Sequence, residues 1–224
     1  RSGTTLVEQM LCPHPEVTAA GELTELMTLA EGVGPSYDSW AAEPDRLDST
    51  TLSRLADAYL ARLREFAPDG GHVIDKMPQN FIYVGLIRAM LPQAKIIYCR
   101  RHPMAVGLSV FCQNFAHNLK FDRRLEHIAH YTGLHARMMD HWLARYGDSV
   151  QCLTYERLVC DFEAQARAVL AAADLDWDPA VMQFHEAKRA VRTASKLQVR
   201  QPLFTSSLNK WRRYERVLAP LAAA

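Results

Sequence analysis

The first five residues, Arg1-Ser2-Gly3-Thr4-Thr5, combine a cation, a glycine and three hydroxyl side chains directly before an apolar segment of helical spacing at 6–11. A glycine turn that opens a helix directs several unpaired backbone N–H groups, and the positive end of the helix dipole, at one place. The guanidinium can hold phosphate oxygens in a fork, and the hydroxyls can add hydrogen bonds. The segment indicates an anion site, although it would also suit an ordinary helix N-terminus.

Two further charged turns follow predicted strands. Asp75-Lys76 ends a short strand at 72–75, and Arg100-Arg101 follows the strand at 95–99. Because the carboxyl ends of parallel strands share one edge of a sheet, we expect both turns and the Arg1 segment to converge on one ligand. Several cations beside a helix N-terminus suit a ligand with more than one phosphate. Gly-Lys-Ser/Thr is absent and no acidic strand end is placed to hold magnesium, so the pattern favours a metal-free site over a Walker A loop.

The elements between these turns predict an α/β fold of three layers, with a central parallel sheet flanked by helices, because a strand, a charged turn and a helix recur at short spacing. The expected strands are at 72–75, 95–99 and 150–154. The expected helices are at 6–11, 23–30, 52–63, 81–90, 104–115, 123–146, 161–173, 177–187 and 208–221. Residues 14–22 are interpreted as a turn, 32–48 as a long loop suited to a lid or acceptor surface, and 191–206 as irregular.

Composition limits the classes of function. The 26 Lys+Arg residues balance 25 Asp+Glu, so we expect neither a nucleic acid nor a membrane surface as partner. Length and the 49% hydrophobic content predict one domain over 1–224. Five scattered cysteines without a CxxC pair argue against a disulfide framework or a zinc site and favour a reducing, cytoplasmic setting. A phosphate loop normally follows a buried strand, so we expect that the chain is trimmed before Arg1 and lacks that strand.

Taken together and in order, the motifs resemble those of sulfotransferases that use 3′-phosphoadenosine 5′-phosphosulfate (PAPS) as donor. The resemblance covers nearly the whole chain and is greatest to a bacterial group whose catalytic domain often follows tetratricopeptide repeats, a group that is itself similar to the tyrosylprotein sulfotransferases. The motifs are Arg1-Ser2-Gly3-Thr4-Thr5-Leu6, His14-Pro15, Gly21-Glu22, Asp75-Lys76-Met77-Pro78-Gln79-Asn80, Cys99-Arg100-Arg101-His102-Pro103 with Ser109, Tyr155-Glu156, and Trp211-Arg212-Arg213-Tyr214-Glu215.

The resemblance implies a donor site assembled from distant parts of the chain. By position, the loop Arg1, Ser2, Gly3, Thr4 and Thr5 would bind the 5′-phosphosulfate, Arg101 and Ser109 the 3′-phosphate, and Tyr155 the region of the adenine. The last motif implies a nucleotide loop that includes Ser206, Ser207, Lys210 and Arg212. Two positions depart from the pattern: Asn209 stands where the tyrosylprotein enzymes have a serine, and Gln113 where they have an arginine.

The resemblance also implies the catalytic groups. Lys76 matches a lysine that stabilises the transition state, and Glu22 matches the general base. Sulfuryl transfer resembles phosphoryl transfer, because charge builds on the oxygen that bridges to the leaving phosphate. Cations at that oxygen, here Arg1 and Lys76, stabilise the transition state more than the ground state. Each residue also has an ordinary interpretation: Glu22 suits a helix N-terminus, and Lys76 a solvated loop with Asp75 as its counter-charge.

The sequence therefore predicts a metal-free transferase that moves a sulfuryl group from PAPS to a hydroxyl or amine acceptor. The acceptor stays open among peptide tyrosine, saccharides and small molecules, because its contacts come from variable loops at 32–48 and 114–124. Upstream tetratricopeptide repeats are an expected partner in a longer protein. The alternatives are a P-loop nucleotide kinase, which the missing Gly-Lys-Ser/Thr disfavours, and a nucleotide-binding module without catalysis.

Overall fold

The strands form two parallel pairs. The computed structural model of the chain describes residues 1–33, 47–115, 119–186, 203 and 205–223. Within these ranges, the first pair joins β1 (Val17–Gly21) to β2 (His72–Asp75), and the second joins β3 (Ile96–Arg100) to β4 (Val150–Thr154). Parallel strands need crossover connections, and every connection between paired strands here contains helix. The predicted α/β class is confirmed.

Eight α-helices and five short 3₁₀ helices lie in the described ranges. The α-helices are α1 (Thr4–Leu11), α2 (Glu25–Glu31), α3 (Ser49–Arg64), α4 (Val84–Met90), α5 (Pro103–Phe111), α6 (Leu125–Tyr146), α7 (Tyr155–Cys160) and α8 (Phe162–Ala172). The 3₁₀ helices are Pro78–Tyr83, Gly147–Ser149, Pro179–Glu186, Lys210–Tyr214 and Ala219–Ala223. Most predicted helices are confirmed, with bounds that shift by a few residues.

Strand β1 corrects the interpretation of residues 14–22 as a turn. Val17 and Ala19 are buried, and β1 pairs in parallel with β2. Two alanines and a glycine in five residues give β1 little intrinsic strand preference. It forms because β2 supplies hydrogen-bond partners and because its side chains pack into the core, and neither cause is visible in local sequence.

The C-terminal region corrects a second prediction. In place of one helix over 208–221, the structure has the 3₁₀ helices Lys210–Tyr214 and Ala219–Ala223. Pro220 lacks the backbone N–H that a continuing α-helix would need. Similarly, the helix expected over 81–90 begins as the 3₁₀ turn Pro78–Tyr83, and that expected over 177–187 is the 3₁₀ helix Pro179–Glu186.

The register of the two strand pairs decides which residues meet at their carboxyl ends. In the first pair Gly21 lies opposite Asp75, and in the second Arg100 lies opposite Thr154. The next residues along the chain are Glu22 and Lys76 in the first pair, and Arg101 and Tyr155 in the second. Each strand pair thus delivers two of the predicted site residues to its carboxyl edge.

Two packed clusters fix the helices that carry the remaining site residues. Every residue of α1 from Thr5 to Leu11 is buried, and its apolar side chains pack with those of β4 and α8. Helix α5 packs against α6 and the C-terminal segment through a cluster that includes Leu108, Trp211 and Leu221. The packing is close, because a Cβ atom on Gly107 would overlap the Leu221 side chain. The end of the chain therefore supports α5 directly.

Several predicted segments lie partly outside the described residues, namely 34–46 of the long loop, 116–118 of the second acceptor loop, and 191–202 with 204 of the irregular segment. Residue 187 of the helix expected over 177–187 also lies outside them. None of the helices in the described ranges combines the length and apolar character that crossing a bilayer requires.

Candidate functional site

The glycine loop before α1 lies against Tyr155. Gly3 has φ of 103°, a left-handed conformation, and its carbonyl accepts hydrogen bonds from Leu6 N at 2.9 Å and Val7 N at 3.1 Å. A Cβ atom at Gly3 would lie only 2.6 Å from Tyr155 Cδ2, well inside van der Waals contact. The position thus requires glycine for both its backbone angle and its space. Because Tyr155 is the first residue of α7, directly after β4, the loop lies at the carboxyl end of that strand.

Five residues from four parts of the chain meet beside this loop, and we call them the arginine corner. Arg1 Nε donates to Ser109 Oγ at 2.9 Å. Arg101 donates through Nη1 to the Arg1 carbonyl and through Nη2 to the Ser207 carbonyl, each at 3.3 Å. Its guanidinium carbon also lies 4.3 Å from the centre of the Tyr155 ring. The Tyr155 hydroxyl and Ser207 Oγ lie 3.2 Å apart.

The arginine corner carries positive charge in a poorly solvated place. Burial, followed by the charge of Arg101, lowers the pKa of the Arg1 guanidinium. Burial is also the largest cause that lowers the pKa of Arg101, and Tyr155 and Glu156 oppose it. Arg101 Nε is one of the few buried polar atoms in the described residues that has no hydrogen-bond partner. Since buried donors are normally satisfied, a corner with two close guanidiniums and an unsatisfied N–H fits an anionic group such as phosphate.

A second charged group lies at the end of the first strand pair. The backbone N–H of Lys76 donates to the Gly21 carbonyl at 2.9 Å, which continues the pairing of β1 with β2. Lys76 Nζ donates to Glu22 Oε1 and lies 3.9 Å from Glu8 Oε2 of α1. The lysine side chain is 7% exposed, whereas that of Glu22 is 38% exposed. The structure therefore places an ammonium in the interior with a carboxylate at its solvent side.

The two groups lie at the same end of the molecule. Helix α1 joins the two groups directly, because it begins after Gly3 and carries Glu8 toward Lys76. The arrangement has the convergence that one elongated anion would need.

Asp75 is not the counter-charge of Lys76, which corrects the ordinary interpretation of that pair. Its Oδ2 accepts from the Tyr59 hydroxyl at 2.7 Å and from Asn80 Nδ2 at 3.0 Å, and its Oδ1 from Leu23 N at 3.4 Å. Burial raises the pKa of Asp75, and these three hydrogen bonds oppose that rise. The carboxylate joins the segment after β1 to α3 and to the 3₁₀ turn after β2, and so fixes the backbone that carries Glu22 and Lys76.

We expect Tyr59→Phe to lower the free energy of unfolding by about 1–3 kcal/mol at pH 7, because it removes a donor from a buried carboxylate. When folding raises the pKa of a carboxyl, that group stabilises the folded state at pH values below its unfolded pKa. This contribution to the free energy of unfolding is lost as the pH rises through the folded-state pKa. Removal of the tyrosine hydroxyl raises the pKa of Asp75 further. The destabilisation should therefore be greater at pH 7 than at pH 4, as measured by urea denaturation.

The matched control is Tyr59→Phe made in an Asp75→Asn background. There the same hydroxyl is lost, but no charge is left without its donor, so its effect should be smaller and independent of pH. An equal destabilisation at both pH values in the native background would show that the Asp75 hydrogen bond is not the cause.

Some of the other residues predicted to bind the nucleotide lie near the glycine loop, and others do not. Ser2 lies in the loop, Thr4 is the first residue of α1, and Thr5 is buried within the helix. Ser206, Lys210 and Arg212 are exposed, and no contact found among the described residues brings them to the arginine corner. Arg212 instead donates from Nε to Asn209 Oδ1 at 3.1 Å. Of the predicted C-terminal residues, Ser207 alone contacts the corner within the described part of the chain.

Trp211 packs against His102, the residue directly after Arg101 of the arginine corner. Its ring stacks on His102 with centroids 4.4 Å apart, and the His102 ring accepts from Met104 N at the start of α5. The backbone N–H of His102 in turn donates to Glu156 Oε1 at 3.0 Å. This packing orients the backbone directly after Arg101. The described residues contain no group of three or more His, Cys, Asp or Glu side chains arranged to hold a metal ion.

Glu8 is a buried charged residue that reasoning from the sequence missed. Its side chain is 6% exposed, and its Oε2 atom lies 3.9 Å from Lys76 Nζ. In the sequence, Glu8 and Gln9 occupy the polar side of an ordinary amphipathic pattern, which predicts exposure to solvent. Because α1 is buried on both sides, that local pattern gave no signal of a buried charge.

Comparison with known proteins assigns the family. The model of the Sulfotransferase family matches residues 1–179, which is most of the chain. The chain belongs to the sulfotransferase family. This confirms the resemblance to sulfotransferases that the motifs carry.

Relatives in sequence are distant. An uncharacterised protein of Aquifex aeolicus (strain VF5) is 36% identical over 231 residues, which cover 99% of this chain and 30% of that protein. A putative protein-tyrosine sulfotransferase of Caenorhabditis briggsae is 23% identical, over 94% of this chain and 77% of its own length. This chain thus spans less than a third of the length of the Aquifex relative.

Two solved structures have the same fold. The sulfotransferase domain from the Synechococcus PCC 7002 olefin synthase superposes with a TM-score of 0.65 at 21% identity, over all of this chain and 91% of that chain. The sulfotransferase domain from the curacin biosynthetic pathway gives a TM-score of 0.64 at 17% identity, over 94% of this chain and 87% of that chain. Both comparisons support the α/β sulfotransferase fold.

Proposed function

We propose that the chain is a PAPS-dependent sulfotransferase that transfers a sulfuryl group to a hydroxyl or amine acceptor without a metal. The observation that carries the proposal is the arginine corner, where two guanidiniums, a serine hydroxyl and a glycine loop surround the N-terminus of α1. Membership of the family supports sulfuryl transfer as the class of reaction.

The proposed donor contacts follow from charge and position. The loop Arg1, Ser2, Gly3, Thr4 and Thr5 would bind the 5′-phosphosulfate with its backbone N–H groups and with the guanidinium. Arg101 would bind the 3′-phosphate with Nε, the donor that has no partner among the described residues, and Ser109 would add its hydroxyl. Tyr155, whose ring lies beside Gly3 and Arg101, would contact the nucleoside. The proposal includes Ser206, Ser207, Lys210 and Arg212 as the nucleotide loop.

The chemistry assigns one role to each group at the first strand pair. PAPS, when bound, supplies a sulfuryl group on a phosphate leaving group. Glu22 accepts the proton of the acceptor O–H or N–H, and its exposed position makes it accessible to an incoming acceptor. Lys76 and Arg1 stabilise the negative charge that develops on the bridging oxygen as the bond to sulfur breaks. The Lys76 ammonium contacts Glu22 directly, so proton transfer and charge stabilisation occur side by side.

The acceptor remains a choice among peptide tyrosine, a saccharide and a small-molecule hydroxyl. Residues 34–46 of the first predicted acceptor loop and 116–118 of the second lie outside the described ranges. The proposal therefore specifies the reacting group, a hydroxyl or an amine. The expectation of upstream tetratricopeptide repeats stays a prediction.

The proposed function predicts that the chain binds adenosine 3′,5′-bisphosphate without magnesium and binds ATP weakly. Arg101→Met should weaken bisphosphate binding about 10- to 100-fold, because a hydrogen bond to a charged group contributes about 1.5–3 kcal/mol. Arg100→Met is the matched control, since Arg100 is the exposed neighbour at the end of β3 and should leave the affinity unchanged. Isothermal titration calorimetry with and without EDTA measures both affinities.

Two results would contradict the proposal in different ways. Tight ATP binding that depends on magnesium would favour a nucleotide kinase. Tight binding of the bisphosphate without sulfuryl transfer from labelled PAPS to any acceptor class would favour a nucleotide-binding module.

A further inference from the structure

Lys76 is flanked by two carboxylates that differ sharply in access to solvent. Glu22 lies after β1 and is 38% exposed, whereas Glu8 projects from α1 and is 6% exposed, with its Oε2 atom 3.9 Å from Lys76 Nζ. Asp75, although adjacent in sequence, is engaged by Tyr59, Asn80 and the backbone of Leu23.

The two carboxylates cannot serve the same purpose. An acceptor approaching from solvent can reach Glu22 but not Glu8, which is enclosed by the packing of α1. Once Glu22 accepts a proton, it no longer carries the charge that pairs with Lys76. An ammonium that is 7% exposed would then lack a full counter-charge at the moment when its own charge is needed. A second carboxylate that never meets the acceptor removes this difficulty.

Given the proposed function, on which this inference rests, we propose that Glu8 is a positioning residue that holds the Lys76 ammonium in place and balances its charge while Glu22 accepts the acceptor proton. The proton moves from the acceptor to Glu22, the acceptor oxygen or nitrogen forms the new bond to sulfur, and the bridging oxygen leaves with the electron pair. Glu8 exchanges no proton. Because α1 starts at the glycine loop, Glu8 also holds Lys76 at a fixed position relative to the anion site.

The test is a double-mutant cycle between Glu8 and Lys76, with kcat for sulfuryl transfer from labelled PAPS as the readout. Glu8→Gln alone should lower kcat about 10- to 100-fold and change the dissociation constant of adenosine 3′,5′-bisphosphate less than about threefold. In a Lys76→Met background, measured under single-turnover conditions, Glu8→Gln should lower the rate less than about twofold, because Glu8 acts only through the lysine.

Gln9→Met is the matched control, since Gln9 is the next buried polar residue of α1. Its effect on the rate should multiply with that of Lys76→Met, as expected for a residue that acts on stability alone. Melting temperatures show whether each variant is folded. If Glu8→Gln does not fold, Glu8→Asp replaces it in the cycle. The aspartate keeps the negative charge, but its side chain is one methylene shorter, so the charge lies farther from Lys76. A kcat for Glu8→Asp between those of the native chain and Lys76→Met, with the same non-additivity, supports the proposal.

The outcomes separate this inference from the proposed function. Multiplying effects of Glu8 and Lys76 substitutions in an active enzyme would overturn the role of Glu8 and leave sulfuryl transfer intact. A raised KM with unchanged kcat in Glu8→Gln would do the same, since that residue would then affect binding alone. Absence of transfer by the native chain would overturn the proposed function itself.

Discussion

Replacing Glu22 with glutamine is expected to lower kcat by about 10²–10⁴-fold, the usual contribution of a positioned general base. Glutamine has nearly the same shape, but it cannot take the proton from an attacking hydroxyl. The measurement is the rate of sulfuryl transfer from labelled PAPS to an acceptor that the native chain sulfates. Because Glu22 lies at the end of the first strand pair and Arg101 at the end of the second, the affinity for adenosine 3′,5′-bisphosphate should be retained.

Glu25→Gln is the matched control for this experiment. Glu25 lies three residues further on, in the first turn of α2, and pairs with Arg62 Nε at 2.6 Å instead of with Lys76. Its loss should affect stability slightly and leave kcat unchanged. Unchanged turnover in Glu22→Gln would remove Glu22 from the mechanism, and equal losses in both variants would indicate a general effect of charge in this region.

Gly3→Ala is expected to weaken the binding of adenosine 3′,5′-bisphosphate by at least about 100-fold. The substitution places a side chain on a residue with φ of 103°, and the new Cβ would lie 2.6 Å from Tyr155 Cδ2. Either the loop or the Tyr155 ring must move to relieve this contact. Both lie in the proposed donor site, and movement of the ring also disturbs the guanidinium of Arg101 above it.

Gly70→Ala separates the clash from the backbone strain. Gly70 has φ of 94°, close to that of Gly3, but a Cβ atom there would meet nothing within 4 Å. Both variants therefore share the penalty of a left-handed alanine, about 1–2 kcal/mol, which lowers their melting temperatures. Calorimetry should show a loss of affinity in Gly3→Ala alone. Equal affinities of the two variants would mean that the close contact with Tyr155 does not organise the donor site.

The sequence predicted those elements whose structure is determined by residues adjacent in the chain. The strand at 96–100 has consecutive β-branched and aromatic residues, and Pro103 marks the first turn of α5, so both were predictable from nearest neighbours. Strand β1 was not, because its alanines and glycine form a strand only when β2 lies beside them. Because residues 14–22 were predicted as a turn, the position of Glu22 directly after a strand was not predicted.

The ion pairs, like strand β1, depend on residues that are distant in the sequence, so the sequence alone did not predict them. Adjacency in sequence suggested that Asp75 balances Lys76, but successive residues at a strand end point in different directions. The actual partner, Glu22, lies 54 residues away and comes close only through the register of β1 with β2. Motif resemblance supplied Glu22 and Lys76 as candidates, whereas Glu8 and the Tyr59 hydrogen bond needed the packed structure.

The contact of Leu221 with Gly107 has a practical consequence for anyone who produces this domain or exchanges it between proteins. The family match ends at residue 179, which would be a natural place to design a shorter gene. Such a product would uncover the side of α5 that Trp211, Leu218 and Leu221 now shield, and α5 carries Ser109 and begins two residues after Arg101. The smallest unit worth expressing therefore extends at least to Leu221.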